Sequence, residues 1–274
     1  MKVFISADIE GVAGVVSWDQ TRRQGYEYDR ACGWMTREVA AACNAAFEMG
    51  AARVVVADSH GTAQNLILDE LPDAVETVRA WPRPLGMVQG VESDAFDHVF
   101  CLGYHTGASE IGMLNHTCNG AGIFDVRIDG QSVDELDIYS AVAAHFGAPV
   151  TLTSGDQAYC ESVARRYPDC QTVAVKSATG RVTGQSVSPK VACKMIAAAV
   201  ADVLSKPPPP RPVPVDGGVR LEIDFKWHHA AETLCYLDGF ERVAAHTVGV
   251  DATDHLMVAR ILEFLSNYKL TPDL

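Results

Sequence analysis

The sequence lacks the features that mark several common classes of protein. Its longest uninterrupted apolar stretch, near residues 195–200, is far shorter than the roughly 18 to 20 residues that a bilayer-spanning helix needs. The N-terminus has no basic-then-apolar signal region, so we expect a cytoplasmic protein with no membrane partner. Basic residues are scarce: 22 lysines and arginines stand against 35 acidic residues, and the net charge of −13 disfavours nucleic acid as a partner.

Motifs of several enzyme classes are absent as well. None of the 8 cysteines forms a CxxC pair, which excludes a zinc ribbon and a dithiol redox motif, and we expect reduced thiols in the core. The sequence contains no GxSxG nucleophile elbow, no Walker loop and no HExxH helix. What remains is a chain of 274 residues, 48% hydrophobic and 21% charged, which is enough to build a large core.

Short apolar runs alternate with helical patterns over the first 206 residues. The predicted strands are 2–7, 53–57, 99–103, 150–153 and 172–175, and the predicted helices are 26–49, 134–146, 155–166 and 189–204. This alternation predicts an α/β fold with a mixed, mostly parallel sheet flanked by helices. The Asp129-Gly130 pair between two apolar runs predicts a β-hairpin over 123–133.

A proline-rich segment predicts a domain boundary. Six prolines lie between residues 207 and 214, and such a stiff segment joins neither a helix nor a central strand. We therefore expect a metal-binding catalytic domain over 1–206, a linker over 207–214 and a smaller domain over 215–274. The smaller domain reads as a βαβα unit, with strands at 219–225 and 241–249 and helices at 228–237 and 253–267.

Charged side chains follow three of the predicted strands. Asp8 and Glu10 come after the first strand, His60 after the second and His105 after the third. Residues two apart in an extended chain project to the same side, so Asp8 and Glu10 can face one point. Glu135, in the first turn of a predicted helix, adds a third carboxylate. Because ligands of open α/β sheets bind at the carboxyl ends of the strands, these clusters can converge on one crevice.

These five side chains match the ligands of divalent metal ions. A structural zinc takes four ligands, so five candidates favour two ions that share Asp8, an arrangement suited to hydrolysis. Structural explanations exist for each: acids are common in solvated loops, strand-end histidines often serve as hydrogen-bonding groups, and the helix dipole favours an acid at Glu135. His116 lies in a loop and is free to act on substrate, while Asn115 and Asn119 are candidate oxyanion donors.

Five segments resemble the M55 peptidase family in order and in spacing. They are SADIEGVAG at 6–14, DSH at 58–60, LGYH at 102–105, NH at 115–116 and DEL at 134–136. The likeness extends from the first strand to about residue 206. The family comprises zinc-dependent D-aminopeptidases whose founding member belongs to a dipeptide-transport operon. The resemblance implies that two zinc ions are bound by Asp8, Glu10, His60, His105 and Glu135, and that His116 is catalytic.

The resemblance also implies a function. It points to a dinuclear-zinc aminopeptidase that removes the N-terminal residue from short peptides or amino-acid amides, with a preference for D-amino acids. It further implies an α/β core and a homo-oligomer, a ring-shaped decamer. A related metal-dependent amidase or hydrazidase, or an L-selective aminopeptidase, is the first alternative. A non-catalytic, metal-bound peptide-binding protein is a weaker one, because a structural metal site needs no further polar group such as His116.

Overall fold

The computed structural model describes residues 1–213 and 217–268 and is built around a large, mostly parallel sheet. In spatial order its strands are β3 (Val75–Val78), β2 (Arg53–Asp58), β1 (Lys2–Ala7), β4 (His98–Leu102), β7 (Val150–Asp156), β8 (Gln171–Gly180) and β9 (Thr183–Ser186). Neighbours from β3 to β8 are parallel, and β9 is antiparallel to β8. The predicted α/β class and mostly parallel sheet are confirmed.

Helices cover both faces of this sheet. They are α1 (Tyr28–Glu48), α2 (Glu135–His145), α3 (Gln157–Arg166) and α4 (Pro189–Leu204). Val3 and Ile5 of β1 belong to the apolar core formed with α1 and α4, whereas Phe4 between them belongs to the core on the other face. Alternate side chains of a central strand point to opposite faces, which explains why β1 is apolar throughout. Among the described residues, no helix combines the length and hydrophobicity that a membrane crossing requires.

A second sheet is antiparallel and smaller. In spatial order its strands are β11 (Phe240–Arg242), β12 (Thr247–Ala252), β10 (Val219–Phe225), β5 (Ile123–Ile128) and β6 (Gln131–Ser132), and helices α5 (His228–Leu234) and α6 (His255–Asn267) accompany it. Strands β5 and β6 form the predicted hairpin, and Asp129 and Gly130 in its turn both have positive φ. The segment predicted as one strand over 241–249 is divided between β11 and β12.

The second sheet takes strands from both sides of the proline-rich segment. Strand β5 precedes that segment and pairs with β10, which follows it, with Ile128 opposite Leu221. One continuous apolar core contains Phe4 of β1 together with Ile223 of β10 and Leu262 of α6. The second sheet therefore crosses the predicted domain boundary at 207–214. The sequence pattern of the hairpin indicates two paired strands but not the distant strand that pairs with them. Residues 214–216 and 269–274 of the predicted linker and smaller domain lie outside the described residues.

Candidate active site

Three neighbouring strands bring the predicted site residues to one edge of the sheet. Asp8 directly follows β1, which lies between β2 and β4, and His60 and His105 follow those two strands. The strands end level with one another, since Ala7 pairs with the last residues of both β2 and β4. Glu135 is the first residue of α2, whose N-terminus is capped by Asp134. The structure thus places residues from four elements beside one another.

A close backbone approach holds the loop after β1 against the loop after β4. The Gly11 N–H donates to the Gly103 carbonyl at 2.7 Å. A Cβ atom at Gly11 would lie 2.0 Å from the carbonyl oxygen of Tyr104, so only glycine fits there. This approach brings Asp8 and Glu10 next to His105.

A backbone carbonyl orients each of the three histidines of the site. The contacts are His60 Nε2 to Thr21 O at 2.6 Å, His105 Nδ1 to Thr106 O at 2.9 Å and His116 Nδ1 to Leu114 O at 3.0 Å. Because a carbonyl oxygen only accepts, the contacted ring nitrogen carries the hydrogen. The other nitrogen of each neutral ring then presents a lone pair toward the carboxylates. This orientation is typical of metal-binding histidines.

Asp8 lies between two groups of side chains. Its Oδ1 is 3.1 Å from His60 Nδ1, and its Oδ2 is 3.4 Å from His105 Nε2. Glu10 Oε2 approaches His60 Nδ1 at 2.9 Å, and Glu135 Oε2 approaches His105 Nε2 at 3.4 Å. Asp8 is therefore common to a Glu10–His60 group and a His105–Glu135 group.

Several buried polar atoms of this cluster lack hydrogen-bond partners within the described part of the chain. They are Asp8 Oδ2, Glu10 Oε2 and His105 Nε2. An unsatisfied buried polar atom costs roughly 1 to 3 kcal/mol, which a bound cation would offset. The ligand atoms of Asp8, Glu10 and His105 lie within 4.8 Å of one another, as do those of His105, His116 and Glu135. Imidazole and carboxylate donors without a thiolate fit zinc and similar divalent ions.

The charges of the cluster are strongly coupled to one another. Burial lowers the pKa of His60 and of His105, but the neighbouring carboxylates outweigh it and raise both pKa values well above the usual value. Burial raises the pKa of Asp8, but the close approach and the charge of the His105 and His60 rings hold it well below its usual value. The negative charge of the carboxylates therefore dominates the electrostatic potential of the cluster, and bound protons or a metal cation must compensate for that charge.

His116 is set apart from the other two histidines. Its ring stacks on His105, with the centroids 4.2 Å apart and the planes at 10°, and the edge of Trp18 packs at 5.6 Å. Its Nε2 lies 3.9 Å from Glu135 Oε1. Burial and the charge of His105 lower the pKa of His116, so this imidazole stays neutral more readily than its neighbours.

A cavity of about 260 Å³ opens at this edge of the sheet. Of the six predicted residues, Asp8, His60, His116 and Glu135 line it, while Glu10 and His105 are buried beside them. The lining residues that no sequence pattern indicated include Trp81, Cys118, Tyr139, Glu263, Ser266 and Asn267, of which the last three belong to α6. Of the two candidate oxyanion donors, Asn119 lines the cavity. The side-chain amide of Asn115 instead donates to the Glu110 carbonyl at 2.7 Å and stabilises the loop.

Comparisons with known proteins agree with this geometry. The M55 peptidase family, described as D-aminopeptidase, matches residues 1–264. A D-aminopeptidase of Bacillus subtilis (strain 168) is 30% identical over 269 residues, which cover 93% of this chain and 93% of the relative. The fold is similar to the solved structure of Zn-dependent D-aminopeptidase DppA from Bacillus subtilis, a self-compartmentalizing protease. That similarity has a TM-score of 0.89 and 27% identity and covers 97% of this chain and 96% of DppA.

The fold and the site, taken with these similarities, define a peptidase, an enzyme that hydrolyses peptide and amide bonds. The chain belongs to the M55 peptidase family. The resemblance carried by the five sequence segments is confirmed. The match also continues past residue 206, where the predicted likeness ended, as far as residue 264.

Proposed function

We propose that this protein is a zinc-dependent aminopeptidase that removes the N-terminal residue from short peptides or amino-acid amides, with a preference for D-amino acids. The observation that carries the proposal is the position of Asp8, whose two carboxylate oxygens face two separate histidines at 3.1 and 3.4 Å. A carboxylate shared in this way suits two metal ions. The names of the B. subtilis relative and of DppA support zinc and D-amino-acid substrates.

The proposed site holds two zinc ions per chain. Glu10 and His60 would hold one ion, His105 and Glu135 would hold the other, and Asp8 would be shared between them. When bound, zinc supplies a Lewis acid that lowers the pKa of a water molecule and polarises the substrate carbonyl. The backbone carbonyls behind the two histidines fix the tautomers that this binding needs.

We assign proton transfer to His116. Its Nδ1–H is held by the Leu114 carbonyl, so Nε2 is the nitrogen that accepts a proton within the cavity. Stacking on His105 and the edge contact with Trp18 fix the plane of the ring. A base in this position can take a proton as water attacks the amide and return it to the leaving amine.

The size of the cavity favours small substrates. A volume of about 260 Å³ suits an amino-acid amide or the first residues of a short peptide. DppA is a self-compartmentalizing protease, which supports a homo-oligomer for this chain as well. We propose a ring-shaped decamer in the cytoplasm, which would admit short peptides and exclude folded proteins.

One panel of substrates tests the proposed function. Zinc-reconstituted protein is assayed for amine release from matched D- and L-aminoacyl amides, hydrazides and dipeptides, with a chelated sample as control. We expect chelator-sensitive turnover that favours the D-substrates. A preference for L-substrates would make the protein an L-selective aminopeptidase, and turnover of amides or hydrazides alone would make it an amidase or hydrazidase. Zinc binding without turnover would favour a peptide-binding protein.

A further inference from the structure

The cavity contains a carboxylate that the proposed metal site does not use. Glu263 of α6 lines the same cavity as His116 and Glu135 and is partly buried. Its Oε1 accepts hydrogen bonds from Asn267 Nδ2 at 2.9 Å and from the backbone N–H of Arg83 at 3.2 Å. Both donors fix the carboxylate in place. Burial raises the pKa of Glu263, and the two hydrogen bonds and the charge of the nearby Arg83 guanidinium partly oppose that rise. Over residues 1–213 and 217–268, no lysine, arginine or histidine side chain forms an ion pair with Glu263.

Glu263 and the proposed ligand Glu135 affect the same two side chains of the cavity wall. The Cys118 N–H donates to Glu135 Oε1 at 2.7 Å, and Cys118 and Tyr139 both line the cavity. Burial raises the pKa of the Cys118 thiol, and the charges of Glu135 and Glu263 raise it further. Both carboxylates also raise the pKa of the Tyr139 phenol, after burial and Cys118. The two carboxylates therefore lie within electrostatic range of the same two side chains.

Glu263 is a carboxylate of the cavity that lies outside the proposed metal site. Asp8, Glu10 and Glu135 would hold the divalent ions, whereas Glu263 belongs to neither ligand group. The described residues that line the cavity include no lysine or arginine. A partly desolvated carboxylate in such a place is stabilised by a ligand that brings a positive charge and N–H donors.

We propose that Glu263 binds an ammonium group of the substrate and thereby selects substrates that carry one. This inference rests on the proposed aminopeptidase function and adds the residue that recognises the free amine. The ammonium group has two possible sources: the α-amine of the N-terminal residue, or the amine of a lysine-like side chain. In the first case Glu263 restricts cleavage to free N-termini, and in the second it selects the side chain of the first residue.

The test compares wild-type protein with Glu263→Gln, which keeps the size and the acceptor for Asn267 but removes the charge. Calorimetry on the zinc-loaded proteins measures binding of D-alanine and of propionate, which lacks the amine, and of D-lysine and D-norleucine. Values of kcat/KM are measured for the corresponding D-aminoacyl amides. Glu161→Gln, at an exposed position of α3, is the matched control, and zinc content and circular dichroism are compared for all variants.

If Glu263 binds the α-ammonium, Glu263→Gln weakens D-alanine binding about 10- to 100-fold, leaves propionate binding unchanged and lowers kcat/KM for every amide. If it binds a side-chain ammonium, the loss occurs with D-lysine and its amide and not with D-norleucine. Either pattern supports the proposal. Equal binding of all four ligands by wild type and Glu263→Gln overturns it. A wild-type protein that turns over none of the amides would refute the aminopeptidase function, while the binding data would still decide the role of Glu263.

Discussion

His105 and His116 stack almost in parallel, with their ring centroids 4.2 Å apart, yet they face different partners. His105 Nε2 lies 3.4 Å from both Asp8 and Glu135, whereas His116 Nε2 lies 3.9 Å from Glu135. One imidazole is thus inside the ligand cluster, and the other lies at its edge on the wall of the cavity. On the proposed assignment, His105 would be a metal ligand and His116 would act on substrate.

Replacing His116 tests this separation. We expect His116→Ala to lower kcat about 10²- to 10⁴-fold, the usual contribution of a positioned acid or base, while zinc content stays at the wild-type level. Steady-state kinetics and zinc analysis on the same preparation measure both quantities. Full turnover would contradict the catalytic assignment, and loss of zinc would make His116 a ligand.

We expect that replacing Asp8 weakens the binding of both zinc ions, whereas replacing Glu10 mainly weakens the binding of one. Asp8→Asn alters the carboxylate that faces both groups, so the affinity for both ions should fall by at least about 10- to 100-fold. Glu10→Gln alters a side chain whose carboxylate approaches His60 Nδ1 at 2.9 Å, so binding of the ion at His60 should be weakened more than binding of the other. Competition titrations with a chromophoric zinc chelator separate the two binding steps. Equal effects of the two substitutions would argue against a shared Asp8.

Lys176 holds the loop that carries Glu10. It is buried, and its Nζ donates to the Glu10 carbonyl and, at 2.5 Å, to the Val15 carbonyl. Lys176→Met leaves both carbonyls without this donor, so we expect the free energy of unfolding to fall by roughly 2 to 4 kcal/mol. Urea denaturation measures the change. Lys194→Met, at an exposed position of α4, should change stability by less than about 0.5 kcal/mol, and a similar value for Lys176→Met would refute the assignment.

Glu38 should make stability depend on pH. Burial raises its pKa from 4.5 to about 7, although the Ala13 N–H and Lys176 partly oppose the rise. Between these pH values the folded protein holds a proton that the unfolded chain releases, so this group lowers the free energy of unfolding as pH rises from about 4.5 to about 7. Glu38→Gln removes that contribution, and the variant should gain stability relative to wild type across this window.

Urea denaturation at several pH values measures the difference between Glu38→Gln and wild type. Glu48→Gln, at an exposed position of the same helix, should show a constant difference from wild type. A constant difference for Glu38→Gln would show that the carboxyl titrates at an ordinary pKa in the folded protein.

The pairing of β5 with β10 predicts that the first 206 residues do not fold alone. A chain that ends there loses the strand beside β5 and the apolar residues of α6, including Leu262. An exposed strand edge next to an open core favours aggregation. Sedimentation and thermal unfolding of the shortened chain provide the measurement. A monomer that unfolds cooperatively would instead support the predicted domain over 1–206.

The convergence of the candidate ligands could be predicted from the sequence because each of them follows a strongly apolar run or starts a regular helix. The proximity of Asp8, His60 and His105 follows from the rule that ligands bind where neighbouring parallel strands end at a common edge of the sheet. Their orientation depends on contacts that no pattern records, such as the carbonyls of Thr21 and Thr106.

The sequence did not predict strands that are stabilised by pairing with residues far away along the chain. Strand β3 is a short edge strand with Glu76 and Thr77 exposed, and β9 has the sequence TGQS, so neither has the apolar pattern of a strand. Pairing with β2 stabilises β3, and pairing with β8 stabilises β9, although the side chains of neither strand have an apolar pattern. The contribution of α6 to the cavity was missed for a similar reason. An amphipathic helix indicates that it packs, but not which surface it packs on.

The order in which the cavity residues occur along the chain bears on synthesis of the protein by the ribosome. Asp8 is translated before Glu263 and Asn267, which line the same cavity. Folding during translation proceeds from the N-terminus, so the nascent chain presents its ligand residues before the cavity around them is complete. The wall of the cavity is therefore completed only when α6 has been translated, and a translation product that stops before α6 lacks that wall.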